Sequence, residues 1–191
     1  SVISPNLFNQ ASHFMGTNTF VQYILQPVLI GGFFFHLIMG MVLDFKNRNA
    51  SSTKYAFNDR NNSTWVSRNM IITGTMIFLF ICLHFYDFWI PEINTKFIQG
   101  DWSGMHHGEF RYFAELQHKF VDLWRVLLYN LSFIFLSLHL LHGFQSSFQS
   151  VGVRNKTVTP LIKKVSYLYA ILVPAGFVFI ALYHYIVQVI L

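Results

Sequence analysis

The chain has 191 residues, of which 53% are hydrophobic, 18% are aromatic and only 11% are charged. A soluble domain carries about 25% charged residues, so this composition excludes a soluble globular domain and predicts a protein embedded in a membrane. A single cysteine, Cys82, excludes a disulfide framework and a cysteine-ligated cluster. The sequence has no C-x-x-C-H motif, which excludes covalently attached c-type haem.

Four apolar segments follow one another along the chain, each near the roughly 20 residues that cross a bilayer. They run over about Phe20–Phe45, Met70–Trp89, Leu123–Phe144 and Val165–Leu191. Backbone polar groups in lipid must be hydrogen-bonded within the chain, so these segments are predicted to be helices. We therefore expect a single all-α domain, a polytopic transmembrane helix bundle, in which Pro27 and Pro174 are tolerated as kinks.

Basic residues in the loops predict the orientation of the bundle. The segment Lys46–Arg68 holds five Lys and Arg residues, and Arg154–Lys164 holds four and no acid. The segment Pro91–Val121 has three basic residues against four acidic ones. The positive-inside rule therefore predicts that the loops over about 46–68 and 150–164 are cytoplasmic and that Pro91–Val121 lies outside.

Two smaller elements are predicted near the outer loop. Apolar residues at helical spacing within Glu109–Phe120 indicate a short helix at the membrane interface. Asp122 stands directly before the third apolar segment, where aspartate is a favoured helix cap. We expect both features to mark the entry into the third span.

Histidines within the apolar segments are the candidate functional residues. Five of the nine histidines lie there: His36, His84, His139, His142 and His184. An ionisable side chain at membrane depth is costly and usually faces the bundle interior with a partner. Taken singly, each one is equally compatible with an ordinary interhelical hydrogen bond.

The depths of these histidines favour a cofactor. A rise of about 1.5 Å per residue places His36 and His139 at similar depth towards the cytoplasmic side. The same measure places His84 and His184 towards the outer side. Two layers of histidines are what two haems stacked across a bilayer would need.

A shared pattern, His-x-x-x-Gly, surrounds the two inner histidines. Gly40 follows His36 and Gly143 follows His139 by four residues, which places each glycine on the same helical face as its imidazole. Close helix packing would explain the glycines, but it does not explain a histidine beside them on two different helices. We predict that His36 and His139 are the two axial ligands of one b-type haem.

His142 is the competing ligand on the helix of His139, and we interpret it as a residue that supports the ligands or contacts the haem propionates. Haem propionates need cationic or hydrogen-bonding partners, and four residues lie at suitable depth: Lys54, Ser67, Arg68 and Gln145. Contact with lipid headgroups is an equal alternative for each of them. In the outer layer, His84 and His184 would be each other's only partners for a second haem within this chain.

Four runs of the sequence together resemble one protein family: His36–Arg48, Trp65–Met70, His84–Trp89 and His139–Gln149. The family is the two-haem cytochrome b membrane anchor of succinate:quinone oxidoreductase, that is, of succinate dehydrogenase or fumarate reductase. The resemblance covers nearly the whole chain. It implies a bacterial inner-membrane protein with five helices and two haems b bound between them.

The resemblance also implies ligands and partners. The haem nearer the cytoplasm would be held by His36 and His139, and the distal haem by His84 and a residue of the first family helix. Four spans are visible here, and Ser1–Thr19 resembles the outer loop after that first helix, which we expect to be missing. His184 matches no ligand of the family and would contact quinone or the distal haem, or simply pack.

In such a complex a flavoprotein subunit oxidises succinate and an iron–sulfur subunit passes the electrons on. The anchor would carry the electrons through its haems to a quinone, which the resemblance implies is menaquinone. Four residues beyond His84 supply aromatic walls and carboxylates for a quinone site: Tyr86, Asp87, Trp89 and Glu92. An interfacial aromatic belt with loop carboxylates is an equal explanation.

Two alternatives remain at this stage. The chain could be the cytochrome b subunit of another membrane oxidoreductase, such as a hydrogenase or a formate dehydrogenase. It could also be a haem-free transporter or structural anchor, although the paired broken helices of transporters are not evident. No nucleic-acid partner is expected.

Overall fold

The computed structural model describes residues 1–50, 69–106, 108–152, 155–156 and 158–191, without the side chains of residues 50, 145 and 149. The described chain is mostly helical. Within it, four helices are long and apolar enough to cross a membrane: Val21–Asn49, Met70–Ile98, Leu123–Phe148 and Val158–Ile190. The predicted class, an all-α protein with four membrane-length helices, is confirmed.

The α-helices in chain order are α1 (Pro5–Thr17), α2 (Gln26–Ala50), α3 (Met70–His84), α4 (Ile90–Ile93), α5 (Tyr112–Lys119), α6 (Leu123–Ser150) and α7 (Val158–Tyr185). Turns of π-helix cover Val21–Leu25, Phe85–Trp89, Asn94–Ile98 and Ile186–Ile190. Two short antiparallel strands, β1 (Met105–His106) and β2 (Glu109–Phe110), pair Met105 with Phe110 and His106 with Glu109.

The second span is longer than the sequence predicted. The sequence predicted that this span ends at about Trp89, but the helix continues past Pro91, through α4, to Ile98. A π-helical turn, Phe85–Trp89, comes directly before Ile90 and Pro91, and Val21–Leu25 stands in the same relation to Pro27. In a π-turn each N–H donates to the carbonyl five residues back. The hydrogen-bonding pattern next to the proline is therefore not that of a regular α-helix, and the helix does not end at this point.

Pro174 is accommodated in another way, within α7. Proline has no N–H, so the carbonyl of Ala170, four residues earlier, loses its intrahelical donor. The hydroxyl of Ser137 on α6 donates a hydrogen bond of 2.7 Å to that carbonyl. A side chain from a neighbouring helix therefore satisfies the backbone group that the proline releases, as membrane helices require.

We expect Ser137→Ala to destabilise the protein by about 1 kcal/mol, because the Ala170 carbonyl would be left without a donor. Thermal unfolding in detergent would measure the loss. Ser166→Ala is the matched control, since the Ser166 hydroxyl is buried but donates within its own helix, to the carbonyl of Ile162. Equal destabilisation by the two substitutions would show that the interhelical bond contributes nothing of its own.

The segment before the first span contains a helix, α1. The resemblance to the cytochrome b family had implied only a loop there. Ser4 caps α1 by accepting a hydrogen bond from the N–H of Leu7, and Pro5 occupies the first turn, where proline is favoured. The Asn9 side chain donates to the Phe110 carbonyl and accepts from the N–H of Phe113. These bonds fasten α1 to the segment that enters α5.

The predicted interfacial helix is present as α5, although it begins at Tyr112 because Glu109 and Phe110 are paired in β2. The predicted cap of the third span is also present. The side chain of Asp122 accepts a hydrogen bond of 3.1 Å from the N–H of Trp124, in the first turn of α6. The carboxylate also lies at the positive end of the helix dipole, which stabilises it.

The structure divides into two compact units, each of which takes part of all four spans. Unit 1 comprises Ser1–Phe33, Leu79–Asn130 and Val178–Leu191, and unit 2 comprises Phe34–Phe78 and Leu131–Phe177. His84 and His184 belong to unit 1, whereas His36 and His139 belong to unit 2. The two histidine layers of the sequence therefore fall into different units, and each is described by itself.

Candidate functional site

Unit 2 brings His36 and His139 together. Their ring centroids are 6.2 Å apart and the ring planes are nearly perpendicular, at 88°. The two histidines are 103 positions apart in the sequence numbering, so only the packing of α2 against α6 joins them. This is the pair that the shared glycine spacing predicted.

His139 is held by a threonine that the sequence did not single out. Thr73 on α3 is fully buried, and its hydroxyl oxygen lies 3.0 Å from Nδ1 of His139. The neighbouring Gly74 lies beside the imidazole, since a Cβ there would be in van der Waals contact with Cε1 of His139, at 3.5 Å. The signal in the sequence was a Thr-Gly pair in an otherwise apolar helix, which by itself indicates only helix packing.

The two glycines of the His-x-x-x-Gly pattern differ in their surroundings. A Cβ at Gly143 would meet Met70 at 3.5 Å and His139 at 4.0 Å, so this glycine does lie beside its imidazole. The space beside Gly40 is open, and His36 itself is exposed. His142 is half-buried on α6, and the proposed propionate contact Arg68 lies outside the described residues.

The separation of the two rings is compatible with both imidazoles binding one metal ion. A metal–imidazole bond of about 2.0 Å on either side, plus the two ring radii, separates the ring centroids by roughly 6 Å. The observed 6.2 Å matches that separation. In the described part of the chain no group of three or more His, Cys, Asp or Glu is gathered around a metal position. Two imidazoles alone suit a metal whose other ligands come from a macrocycle such as haem.

Unit 1 places the outer histidines in separate surroundings. The described ring contacts of His84 are with Phe80, at 5.9 Å, and Phe88, at 5.2 Å. His184 is 2% exposed and packs against Phe113 and Tyr183. The structure therefore does not bring the two imidazoles into ring contact with each other.

Asp87, predicted for a quinone site, lies instead in a buried ion-pair cluster of unit 1. Its side chain is fully buried and accepts a hydrogen bond of 3.0 Å from the hydroxyl of Tyr129. Arg125 Nε lies 3.1 Å and Lys119 Nζ 3.8 Å from its carboxylate oxygens. These cations and the phenol compensate the desolvation of the carboxylate.

A second feature of unit 1 is a cavity of about 180 Å³. It is lined by Gly16, Gln22, Gln26, Ile30, Phe85, Trp89, Glu92, Ile93 and Lys96. Two of the four residues predicted for a quinone site, Trp89 and Glu92, therefore face one space. Tyr86 is 64% exposed and points away from the packed interior.

The polar groups of this cavity are largely paired. Lys96 is 2% exposed, and its ammonium group lies 2.6 Å from the Glu92 carboxylate and also donates to the Gly16 carbonyl. Arg111 pairs with the other oxygen of Glu92 and, at 2.7 Å, with Glu115. The indole N–H of Trp89, by contrast, is buried with no hydrogen-bond partner among the described residues.

Tyr112 closes this polar region on the side of the segment Pro91–Val121. Burial, followed by the negative charge of Glu92, raises the pKa of Tyr112 to about 12. The backbone of Gly104 adopts a φ of +65°, and a Cβ there would collide with the hydroxyl of Tyr112. Glycine is therefore required at this position both for its conformation and for the close approach of the ring.

Comparison of the chain with protein families, with curated proteins and with solved structures finds no significant match. The site must therefore be interpreted from its own geometry. Sequence reasoning missed Thr73, Gly74, Gln22, Gln26 and Lys96. Thr73 and Gly74 lie on a different span from His139, and Lys96 lies beyond the predicted end of its span, so no local spacing indicates them.

Proposed function

We propose that this protein is a membrane cytochrome b, that is, an electron-transfer protein that binds haem between its helices. The observation that carries the proposal is the pair His36 and His139, on two different spans, with ring centroids 6.2 Å apart. When bound there, haem would supply a one-electron carrier in the membrane. The two imidazoles would be the protein ligands of the iron.

More specifically, we propose the membrane-anchor subunit of a succinate:quinone oxidoreductase. The resemblance of four sequence runs to that family supports this assignment, and so does the division of the histidines between two units. The anchor would dock an iron–sulfur subunit and, through it, a flavoprotein subunit on its cytoplasmic loops. Succinate would react on the flavoprotein, so this chain would carry no succinate chemistry of its own.

A second haem would use His84, as the resemblance implies. The opposite ligand would come from a preceding helix of the family, since His184 is packed against Phe113 and Tyr183. His84 lies between the rings of Phe80 and Phe88, which supply an apolar wall of the kind a porphyrin requires.

The cavity of unit 1 is the proposed quinone site. Its aromatic walls, Phe85 and Trp89, suit a flat ring. The unpartnered indole N–H of Trp89 is a donor for a quinone carbonyl, and the ion pair of Glu92 with Lys96 adds charged groups to the same space. At about 180 Å³ the cavity is smaller than the roughly 300–1,000 Å³ of typical ligand pockets, so it would hold a ring head group with its tail outside.

The proposal is tested by a haem count on the purified protein, combined with a reduced-minus-oxidised difference spectrum. We expect b-type absorbance and non-covalent haem, and co-purification with a flavoprotein that has succinate dehydrogenase activity. A spectrum without b-type absorbance would eliminate the cytochrome proposal. Haem together with a nickel or molybdenum enzyme would instead support a cytochrome b of another oxidoreductase.

We expect Trp89→Phe to raise the KM for a menaquinone analogue by about 2- to 10-fold, since one hydrogen bond of about 0.5–1.5 kcal/mol is lost. Haem content should not change. Tyr86→Phe is the control, because Tyr86 lies three residues away on the same turn of helix but is 64% exposed. Quinone kinetics that respond equally to both substitutions, or to neither, would place the quinone elsewhere.

A further inference from the structure

The hydroxyl group of Thr73 makes two contacts that together determine where its proton lies. The Thr73 hydroxyl donates to the carbonyl of Met70 at 3.0 Å, and its oxygen lies 3.0 Å from Nδ1 of His139. A threonine hydroxyl has one proton and can accept from a second donor. Only one assignment makes both hydrogen bonds: Thr73 donates to Met70, and His139 donates from Nδ1.

This assignment determines the tautomer of His139. A neutral imidazole carries one N–H, so a proton on Nδ1 leaves the lone pair on Nε2. Thr73 is fully buried, so water does not compete for either bond. Gly74 and Gly143 both lie beside the ring, at 3.5 and 4.0 Å from a hypothetical Cβ, so the imidazole is held in this orientation without being crowded.

We infer that Thr73 is the positioning residue that orients His139 and prepares its Nε2 to ligate haem iron; this rests on the proposed function. In a metal-binding histidine, the ring nitrogen that does not bind the metal can donate a hydrogen bond. That bond selects the tautomer, orients the ring and makes the ligand more basic. A more basic imidazole favours ferric over ferrous iron. Thr73 would therefore lower the reduction potential of the haem between His36 and His139.

The test uses the full chain in its membrane complex, with Thr73→Val, Thr73→Ser and the matched control Thr75→Val. Valine keeps the shape of threonine without the hydroxyl, and serine keeps the hydroxyl. Among the described residues, the Thr75 hydroxyl bonds to the carbonyl of Ile71 in its own helix. Three quantities are measured: haem per chain, the midpoint potential of each haem, and the His139 tautomer by NMR of ¹⁵N-labelled histidine.

We expect Thr73→Val to weaken haem retention at this position by about 10- to 100-fold. We also expect the midpoint potential of this haem to rise. A tenfold decrease in the preference for ferric over ferrous iron corresponds to about 59 mV for one electron. Thr73→Ser should restore both values, and Thr75→Val should leave them unchanged. In the NMR spectrum, the Nδ1–H signal of His139 should shift in Thr73→Val alone.

The outcomes separate the two proposals. Haem that is bound by the wild type with the same potential and retention in Thr73→Val overturns the role of Thr73 while leaving the cytochrome proposal intact. A wild-type protein that binds no haem overturns the cytochrome proposal and, with it, the proposal that His139 binds haem iron. A proton found on Nε2 of His139 in the wild type overturns the inference in either case.

Discussion

Replacement of His36 or His139 by alanine is expected to remove one of two haems from the purified complex. In the proposed site each imidazole would supply one of the two protein ligands of the iron, so the loss of either would leave the haem held by a single histidine. Haem per chain should fall from two to one, and the b-type absorbance should fall by about half, as measured by a pyridine haemochrome assay and a redox difference spectrum.

His142→Ala is the matched control for this experiment. His142 lies on the same helix, three residues from His139, and is half-buried, but it is not part of the facing pair. We expect it to retain both haems, with at most a change in midpoint potential. If His142→Ala lost a haem while His139→Ala retained both, the ligand would be His142 and the pairing with His139 would be wrong.

Replacement of Asp87 by leucine is expected to cause the largest loss of stability. The carboxylate is fully buried and is shared by Tyr129 and Arg125, at 3.0 and 3.1 Å. Removing the carboxylate takes the charged hydrogen-bond partner from Tyr129 and Arg125, which should cost about 1.5–3 kcal/mol because the Arg125 side chain is 24% exposed. Thermal unfolding in detergent should shift down by roughly 3–12 °C for a chain of this size.

Two further variants show whether the lost charge pair is the cause. Asp87→Asn keeps the size and can still accept a hydrogen bond from Tyr129, so we expect a smaller loss. The double variant Asp87→Leu/Arg125→Met removes both charges, and its stability should be higher than the sum of the single effects predicts. Strict additivity would contradict a direct interaction between Asp87 and Arg125.

The difference between what the sequence predicted and what the structure shows is clearest at Pro91 in the second span. Composition and segment length predicted four membrane helices, because the requirement that lipid-exposed backbone bonds itself acts locally along the chain. The sequence did not predict that the helix would continue past Pro91 to Ile98. A π-turn at Phe85–Trp89 makes this possible, and no spacing of residue types indicates such a turn.

The candidate site divides in the same manner. Depth along a helix is a linear quantity, so the sequence by itself indicated that His36 and His139 belong to one layer, with glycines beside them. Which side chains from other spans meet them depends on the rotation and packing of helices, which the tertiary structure alone decided. In the tertiary structure Thr73 contacts Nδ1 of His139, and Arg125 pairs with Asp87. Ser137 donates a hydrogen bond to the Ala170 carbonyl, which has no donor in its own helix because of Pro174. Each of these pairs joins residues far apart in the chain through a buried polar group, whose unpaired state in an apolar interior would be too costly to leave.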